Sequence, residues 1–207
     1  EVLIAMSFQN QFTKITTDAN LMETVHHGSA EYPFRYYYEN IALFDFKCID
    51  WHWHSELEFI YIESGNVVFD IGTVHFELNE GNGIMINSKI LHRLQSSSDA
   101  IIPNFLFQPS FIAPQDSLIY KKYINPVISS SLEYLVFQPD IPWQKKALEI
   151  IKTIIAVQET EFNREIIVSM SVQQLWILLL ENLTFDQFEN MGAVISRTRL
   201  QLMMQYV

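Results

Sequence analysis

The stretch WHWHSELE places four ionisable side chains at alternating positions of the chain: His52, His54, Glu56 and Glu58. Alternate side chains of a β-strand lie on one face, so a strand here would present all four together. Imidazole nitrogens and a carboxylate are ligands that Zn, Ni, Fe or Mn accept. A further histidine, His92, follows a turn and another strand pattern, and an up-and-back chain path would bring it beside His52 and His54.

Two interpretations of these residues remain open. In the first, His52, His54, Glu58 and His92 hold one divalent metal ion. In the second, they form a hydrogen-bonded polar cluster that lines a pocket without metal, because buried polar groups can satisfy one another. In both, we predict that the four residues line a ligand-binding pocket, whereas Glu56 is expected at a rim exposed to water.

Tyr36 and Tyr38 are further candidates for ligand binding. They alternate along one predicted strand and could stack on a sugar or hydrogen-bond its hydroxyl groups; the alternative is two core tyrosines whose hydroxyl groups reach the edge. Cys48 is expected to be a small core residue on the same face as His52. The remaining histidines are predicted to be surface or loop residues: His26, His27 and His75.

Short segments rich in aromatic and β-branched residues run from about Tyr32 to Phe111. Turn residues separate them at spacings of about 8–12 residues, which is typical of an antiparallel sandwich or barrel. Gly65 and Gly81 are predicted to supply the positive φ angles that hairpin turns need. The predicted strands are YPFRYYYEN, ALFDFKCI, LEFIYIESG, NVVFDIG, TVHFELNEG and GIMINS.

The pattern then changes to helical spacing. DSLIYKKYINPVI predicts a short helix that Pro126 ends or kinks, and Pro142 marks the start of a longer one. A second long helix is predicted over REIIVSMSVQQLWILLLENL. Both long helices have apolar faces so wide that they need the barrel and a second surface to cover them. The last stretch, SRTRLQLMMQYV, predicts the opening of a further helix, and we expect the native protein to continue.

Composition argues against several classes of protein. With 24 acidic and 13 basic residues, the chain has a formal net charge of −11. Because such a surface repels a phosphate backbone, the chain by itself should bind nucleic acid poorly. Its single cysteine permits no internal disulfide. Neither a secretory signal nor an apolar run that could span a bilayer is evident, so we expect a cytoplasmic protein without membrane contact.

The histidine segment resembles the first sequence motif of the cupins. The spacing His52-x-His54-x3-Glu58-x6-Gly65 matches this motif, with Phe46 where the family has its leading glycine. In metal-dependent cupins, the residues that match the two histidines and the glutamate bind an ion inside a jelly-roll barrel, together with one histidine from a second motif.

The segment from Gly81 to His92 resembles that second motif, with His92 at the position of its metal ligand. Asn87 and Lys89 replace the proline and glycine of the motif, and Ser96 replaces its final asparagine. Taken with the helical pattern that follows, the resemblance implies an α+β fold: a cupin-like antiparallel β-barrel (jelly roll) followed by a C-terminal antiparallel helical hairpin.

Over essentially its whole length the chain resembles an AraC-type transcription regulator, in which the Asn-Ser-Lys form of the second motif is common. The resemblance implies a barrel that senses a small effector, often a sugar, a helical hairpin that forms a homodimer, and a separate C-terminal DNA-binding domain with two helix-turn-helix units. It divides the chain into an N-terminal arm (1–30), the barrel (31–113), a helical dimerisation region (114–190) and the start of the DNA-binding domain (191–207).

The competing interpretation is an enzyme, a metal-dependent cupin such as a dioxygenase or a sugar isomerase. It uses the same four ligands but leaves the helical hairpin and the last predicted helix unexplained. A third possibility is a cupin that serves only as a dimerisation scaffold, with its pocket filled by aromatic side chains. We therefore predict a regulator without enzymatic activity that binds a small polar metabolite, with a saccharide among the candidates.

Overall fold

The computed structural model describes residues 14–160 and 162–183, within which nine strands form two antiparallel sheets. The five-stranded sheet has the order β1-β8-β3-β6-β9, and the four-stranded sheet has the order β2-β7-β4-β5. The strands are β1 (Phe34–Asn40), β2 (Cys48–His52), β3 (Leu57–Tyr61), β4 (Asn66–Ile71), β5 (Val74–Asn79), β6 (Gly83–Ile86), β7 (His92–Gln95), β8 (Ile101–Phe107) and β9 (Tyr134–Phe137). The α-helices are α1 (Asn125–Ile128), α2 (Pro142–Ala156) and α3 (Arg164–Asn182).

An apolar core lies between the two sheets. Ile60 and Ile102 from the five-stranded sheet are buried in one cluster with Val67, Phe69 and Leu94 from the four-stranded sheet. Facing antiparallel sheets with a shared apolar core form a β-sandwich. The predicted α+β class and cupin-like β architecture are therefore confirmed, with a pair of long helices after the sheets.

The opposite face of the five-stranded sheet is buried under the helices. Phe59, Phe105 and Phe107 stack on this face with nearly parallel rings. Ile151 of α2 and Leu175 of α3 belong to the same core cluster. Because both faces of this sheet are covered, β3 (LEFIY) is apolar almost throughout instead of alternating.

The segment ALFDFKCI, which the sequence predicts as a strand, differs from that prediction. Strand β2 begins only at Cys48, because Phe46 and Lys47 have left-handed backbones with φ angles of 59° and 52°. A strand requires extended φ and ψ angles, so the prediction was wrong for most of this segment. The chain forms two 3₁₀ turns there, Ile41–Leu43 and Asp45–Lys47.

Strand β9 lies inside the segment 114–190, for which the sequence analysis predicts only helices. It pairs with β6 and forms one edge of the five-stranded sheet. With four residues, YLVF, the strand is too short for its period to be told from that of a helix.

Prolines shape the helical segments as predicted. Pro142 is the first residue of α2. Before Pro126 the chain forms a π-helical turn, Tyr120–Ile124, that continues into α1. The wider turn accommodates the missing N–H donor of the proline, so the helix is distorted and not ended. The Trp176 indole N–H donates to the Tyr123 carbonyl oxygen at 3.0 Å, which ties α3 to this turn.

Two predicted glycine turns are confirmed, since Gly65 and Gly81 have φ angles of 81° and 86°. At Gly65 a side chain would also collide, because a Cβ atom there would lie 2.8 Å from the Asp99 carbonyl oxygen. The helix predicted over SRTRLQLMMQYV lies outside the described residues, as does the beginning of the N-terminal arm. None of the helices in the described part of the chain has the length and apolar character needed to cross a membrane.

Candidate functional site

Three histidines meet inside the sandwich. His52, at the end of β2, is paired with His92, at the start of β7, and a register shift within β2 places both Ile49 and His52 on the inner face. His54 follows in the loop between β2 and β3. One ring nitrogen from each histidine lies within 4.8 Å of the others, and all three side chains are buried. The structure therefore brings the predicted histidines together.

Glu58 of β3 joins this cluster. Its Oε2 atom lies 3.4 Å from His54 Nε2 and 3.2 Å from His92 Nε2. His92 Nε2 is nevertheless buried without any hydrogen bond of acceptable geometry. A buried polar atom in that position costs free energy unless a further partner satisfies it.

The other ring nitrogen of each histidine faces a main-chain carbonyl oxygen. A carbonyl oxygen only accepts hydrogen bonds, so the Nδ1 atoms carry the protons and the Nε2 lone pairs face the centre of the cluster. This is the arrangement that fixes histidine ligands around metal ions in proteins. The Nδ1 distances are 2.8 Å from His52 to Asp50, 2.8 Å from His92 to Ile90 and 3.3 Å from His54 to Glu56.

Electrostatics in the cluster favour a cation. Burial, followed by the neighbouring His92 and His54, holds the pKa of His52 well below its ordinary value, so this imidazole is neutral. Burial alone raises the pKa of Glu58, but His54 and His92 lower it well below its usual range, so the carboxylate is ionised. The histidine Nε2 lone pairs and the Glu58 carboxylate are all acceptors that face one point. They repel one another unless an additional imidazole proton or a metal ion lies between them. The four residues thus fit a divalent metal ion.

A cavity of about 80 Å³ adjoins the cluster. Its polar wall includes residues that the sequence analysis did not select, and part of its cover comes from the N-terminal arm. The lining consists of Lys14, Ile15, Thr16, Glu23, Val25, His27, Tyr37, Glu39, Ile49, His52, His54, Glu58, Leu94, Ile102, Asn104 and Leu106.

Residues 14–30 of the N-terminal arm are attached to the β-sandwich through Trp53. The Glu23 main-chain N–H donates to the Trp53 carbonyl oxygen at 2.9 Å, and the Trp53 N–H donates to the Leu21 carbonyl oxygen at 3.0 Å. The Trp53 indole N–H donates to the Asn20 carbonyl oxygen at 2.8 Å. These contacts hold the arm across one side of the cavity.

His27 lies in a loop, as one of the two predicted alternatives had it, but it is buried in the cavity wall and not at the surface. Its side chain is buried, with Nδ1 at 2.9 Å from the Tyr37 hydroxyl group and Nε2 at 3.0 Å from Glu23 Oε2. Burial lowers the pKa of His27, but the hydrogen bond and the charge of Glu23 outweigh it, and the pKa is raised. The alternation of Glu23, Val25 and His27, all in the lining, was the available sequence signal.

The tyrosine prediction selected the wrong face of β1. Tyr36 packs against the core cluster under the helices, and neither Tyr36 nor Tyr38 lines the cavity. Tyr37 and Glu39, at the odd positions, line it instead.

Two other residues, Glu56 and Cys48, also lie in environments that differ from those predicted. Glu56, expected at a rim exposed to water, is buried with 7% exposure. Cys48, expected in the core on the same face as His52, is partly exposed, because the register shift in β2 breaks the alternation between them. His75 and His26 are exposed as predicted, and His75 Nδ1 lies 2.7 Å from Asp70 Oδ1.

Glu39 and Asn104 form a second polar pair on the cavity wall. Asn104 Nδ2 donates to Glu39 Oε2 at 2.7 Å. Burial, with the negative charge of Glu58, raises the pKa of Glu39 to about 8, against the opposite effect of the Asn104 hydrogen bond. Glu39 therefore holds a proton at neutral pH and can donate a hydrogen bond.

Comparisons with known proteins agree with this architecture. Residues 44–115 match the family model of the AraC-like ligand binding domain. An uncharacterised HTH-type transcriptional regulator, YdeC of Bacillus subtilis, is 30% identical over 197 residues, which cover 92% of this chain. The chain spans 66% of the length of that relative.

The matches to solved structures are partial and share little sequence. An apo ToxT structure from Vibrio cholerae is 9% identical and covers 79% of this chain and 60% of its own, with a TM-score of 0.49. An RmlC-like cupin from Shewanella frigidimarina is 14% identical and covers 37% of this chain and 67% of its own, with a TM-score of 0.34. On the family match and the YdeC relative, the chain belongs to the AraC family and carries its ligand-binding domain.

Proposed function

We propose that this chain is the effector-sensing and dimerisation part of an AraC-type transcription regulator. The observation that carries the proposal is a buried cluster of three histidines and Glu58 at a cavity that the N-terminal arm covers. The division proposed is an arm (1–30), a barrel (31–113), a dimerisation region (114–190) that also contributes β9, and the beginning of a DNA-binding domain (191–207).

The proposed effector is a small polar metabolite. The cavity holds about 80 Å³, roughly half the volume of about 150 Å³ that accepts benzene in an engineered apolar cavity. A saccharide would therefore require the arm to move, whereas a molecule of a few heavy atoms would not. An effector that binds better to one arrangement of the arm shifts the population towards it, which is the coupling a sensor needs.

A divalent metal ion is part of the proposal. Three Nε2 lone pairs and the Glu58 carboxylate would hold it, and His92 Nε2 would gain the partner that it lacks. Bound there, the ion would act as a Lewis acid that attracts hydroxyl or carboxylate oxygens of an effector. The chain's own contribution is to fix the histidine rings through the main chain and to exclude bulk water with the arm.

A homodimer through the helical pair is the proposed assembly. One face of α3 is buried against the sheet and α2, with Val168, Val172 and Leu175 in the core. On the opposite side of α3, the side chains of Ile166 and Ile177 are 62% and 57% exposed. A helix that is apolar on two faces needs a second partner, and an isologous contact with another copy supplies one.

DNA contact is proposed to come from a separate C-terminal domain. The net charge of −11 makes the chain itself a poor partner for a phosphate backbone. The arm, the barrel and the helical pair would then change the relative placement of two DNA-binding domains when the effector binds.

A ligand panel tests the sensor proposal. Pentoses, hexoses, sugar acids and short carboxylic acids are added to the wild type, to His54→Ala and to the surface control His75→Ala, and thermal unfolding is followed. We expect one compound to raise the Tm of the wild type and of the control but not of His54→Ala. The same compound should change the operator affinity of the full-length protein by about fivefold or more. A panel that moves neither Tm nor operator affinity contradicts the proposal.

A further inference from the structure

The three histidines of the cluster are not held equally well. The Nδ1 atoms of His52 and His92 each lie 2.8 Å from a main-chain oxygen. His54 Nδ1 lies 3.3 Å from the Glu56 carbonyl oxygen, which is at the far end of the range for a hydrogen bond. His54 therefore has the weakest main-chain partner of the three.

A second acceptor lies beside His54. The Glu56 Oε2 atom is 3.8 Å from His54 Nδ1, and both side chains are buried, with 9% and 3% exposure. A buried carboxylate costs free energy unless it has donors or a charge partner. The imidazole of His54 is the ring that lies beside this carboxylate.

Neutral donors fix the Glu56 carboxylate in place. Gln108 Nε2 donates to Glu56 Oε1 at 2.5 Å and also to Ser55 Oγ at 2.8 Å. The Ser55 hydroxyl group donates to Glu56 Oε2 at 3.3 Å. Gln108 directly follows β8, so a strand of the sheet determines where the carboxylate stands.

The same loop is tied to the second cupin-like motif. The Ser88 hydroxyl group donates to the Ser55 carbonyl oxygen at 2.7 Å, and the Lys89 main-chain N–H donates to the His54 carbonyl oxygen at 2.8 Å. The main chain just before Glu56 is thus held against the segment that leads into β7 and His92.

We propose that Glu56 is a positioning residue for His54 and accepts its Nδ1–H when a metal ion occupies the cluster. The inference rests on the metal site of the proposed function. The two atoms lie about 1 Å farther apart than in a hydrogen bond, so the proposal requires the His54 ring to rotate towards Glu56 when the metal ion binds. A carboxylate behind a histidine ligand fixes the ring and makes Nε2 a stronger donor to the metal.

Cobalt binding to the whole chain tests this inference. Metal-free wild type, Glu56→Gln and Glu56→Ala are titrated with Co²⁺ alone, by calorimetry and by the visible absorption of the bound ion. Glu80→Gln is the matched control, because it makes the same change at an exposed position. Thermal unfolding of each metal-free protein shows whether the fold is retained.

We expect the Co²⁺ dissociation constant to rise about tenfold in Glu56→Gln and more in Glu56→Ala. The absorption bands should shift in both, while Glu80→Gln matches the wild type. A merely structural role would lower the Tm of the metal-free protein without moving the bands of the bound ion.

Each outcome decides a different claim. Wild-type protein that takes up no Co²⁺ overturns the metal site and this inference with it. Wild type that binds Co²⁺, with Glu56→Gln equal to it in affinity and spectrum, overturns the role of Glu56 alone.

Discussion

His92 Nε2 lies 3.2 Å from Glu58 Oε2, yet the two atoms are not aligned for a hydrogen bond. The histidine is fully buried, so water cannot satisfy this nitrogen from bulk solvent. Leaving a buried polar group unsatisfied costs about 1–3 kcal/mol. The fold tolerates this arrangement readily if a cation bridges the imidazole and the carboxylate.

We predict that the chain binds one equivalent of Zn²⁺ or Co²⁺ and that His92→Ala weakens binding at least about 100-fold, or about 2.7 kcal/mol. Metal ligands must be deprotonated, so affinity should fall as the pH is lowered and protons compete with the metal ion for the imidazole nitrogens. Calorimetry at several pH values measures both effects, and EDTA should lower the Tm of the loaded protein. His75→Ala, at the surface, serves as the control. Equal affinity in His92→Ala and the control would exclude a site at this cluster.

Glu39 should give the metal-free protein an unusual dependence on pH. Its pKa is raised from 4.5 to about 8 in the folded chain. The folded state binds the Glu39 proton more tightly than the unfolded state does. The contribution of Glu39 to the free energy of unfolding is therefore greatest below about pH 4.5 and is lost as the pH rises towards 8. Glu39→Gln removes this dependence and can still accept the Asn104 hydrogen bond. We expect the variant to gain about 1–3 kcal/mol at about pH 8 and to equal the wild type at about pH 4.

Urea unfolding after EDTA treatment measures this difference. A wild type and variant whose stabilities differ by the same amount at both pH values would show that the Glu39 carboxyl titrates normally in the folded state. Glu80→Gln, at an exposed position, controls for the loss of one negative charge.

The histidine cluster could be predicted from the sequence because His52, His54 and Glu58 are spaced with the two-residue period of a β-strand. His52 and His92 occupy positions that a paired motif specifies, and their strands meet as neighbours. The choice between Tyr36 and Tyr37 had no such signal. The face of β1 that carries Tyr36 packs on the core under the helices and the other lines the cavity, so apolar and aromatic residues stand on both faces. The alternation of polar and apolar residues identifies the inner face of a strand only when the other face is exposed to solvent.

The part of the site contributed by the arm could not be predicted for a different reason. His27 is buried only because the arm lies against Trp53 and places it beside Tyr37. That is a long-range contact, and residues 14–30, the described part of the arm, form no named strand or helix. The alternation of Glu23, Val25 and His27 indicates that they share one face, but it does not indicate which part of the β-sandwich that face covers.

Phe46 is predicted to destabilise the fold. It has a φ angle of 59° and is fully exposed, so its ring packs against none of the residues that the structure describes. A left-handed backbone costs about 1–2 kcal/mol for a residue other than glycine, while glycine adds about 0.5–1 kcal/mol of unfolded-state entropy. Phe46→Gly should therefore stabilise the protein by about 0.5–1 kcal/mol. Phe46→Ala keeps the backbone cost and should show no such gain in urea unfolding; equal gains in both would point to the exposed ring instead.

Tyr37 is predicted to hold the arm in place through its contact with His27. Tyr37→Phe removes a buried hydrogen bond worth about 1 kcal/mol, which corresponds to about fivefold faster exchange of amides that open with the arm. The amides to follow are those of Glu23 and Thr24, which bond to the Trp53 and Thr16 carbonyl oxygens. Hydrogen–deuterium exchange measures them. Tyr38→Phe, which changes a side chain outside the cavity lining, is the control, and equal protection in both variants would contradict this role.

The exposed face of α3 is predicted to form the dimer contact. Met170 and Ile177 are 66% and 57% exposed, although large apolar side chains on a helix are normally covered. A glutamate at Ile177 would place an unpaired charge in the interface, where desolvation opposes association. Ile177→Glu should therefore raise the dimer dissociation constant at least about tenfold, measured by sedimentation equilibrium. Val74→Glu, an equivalent change on β5, should leave it unchanged, and a wild type that stays monomeric at high concentration would contradict the proposed contact.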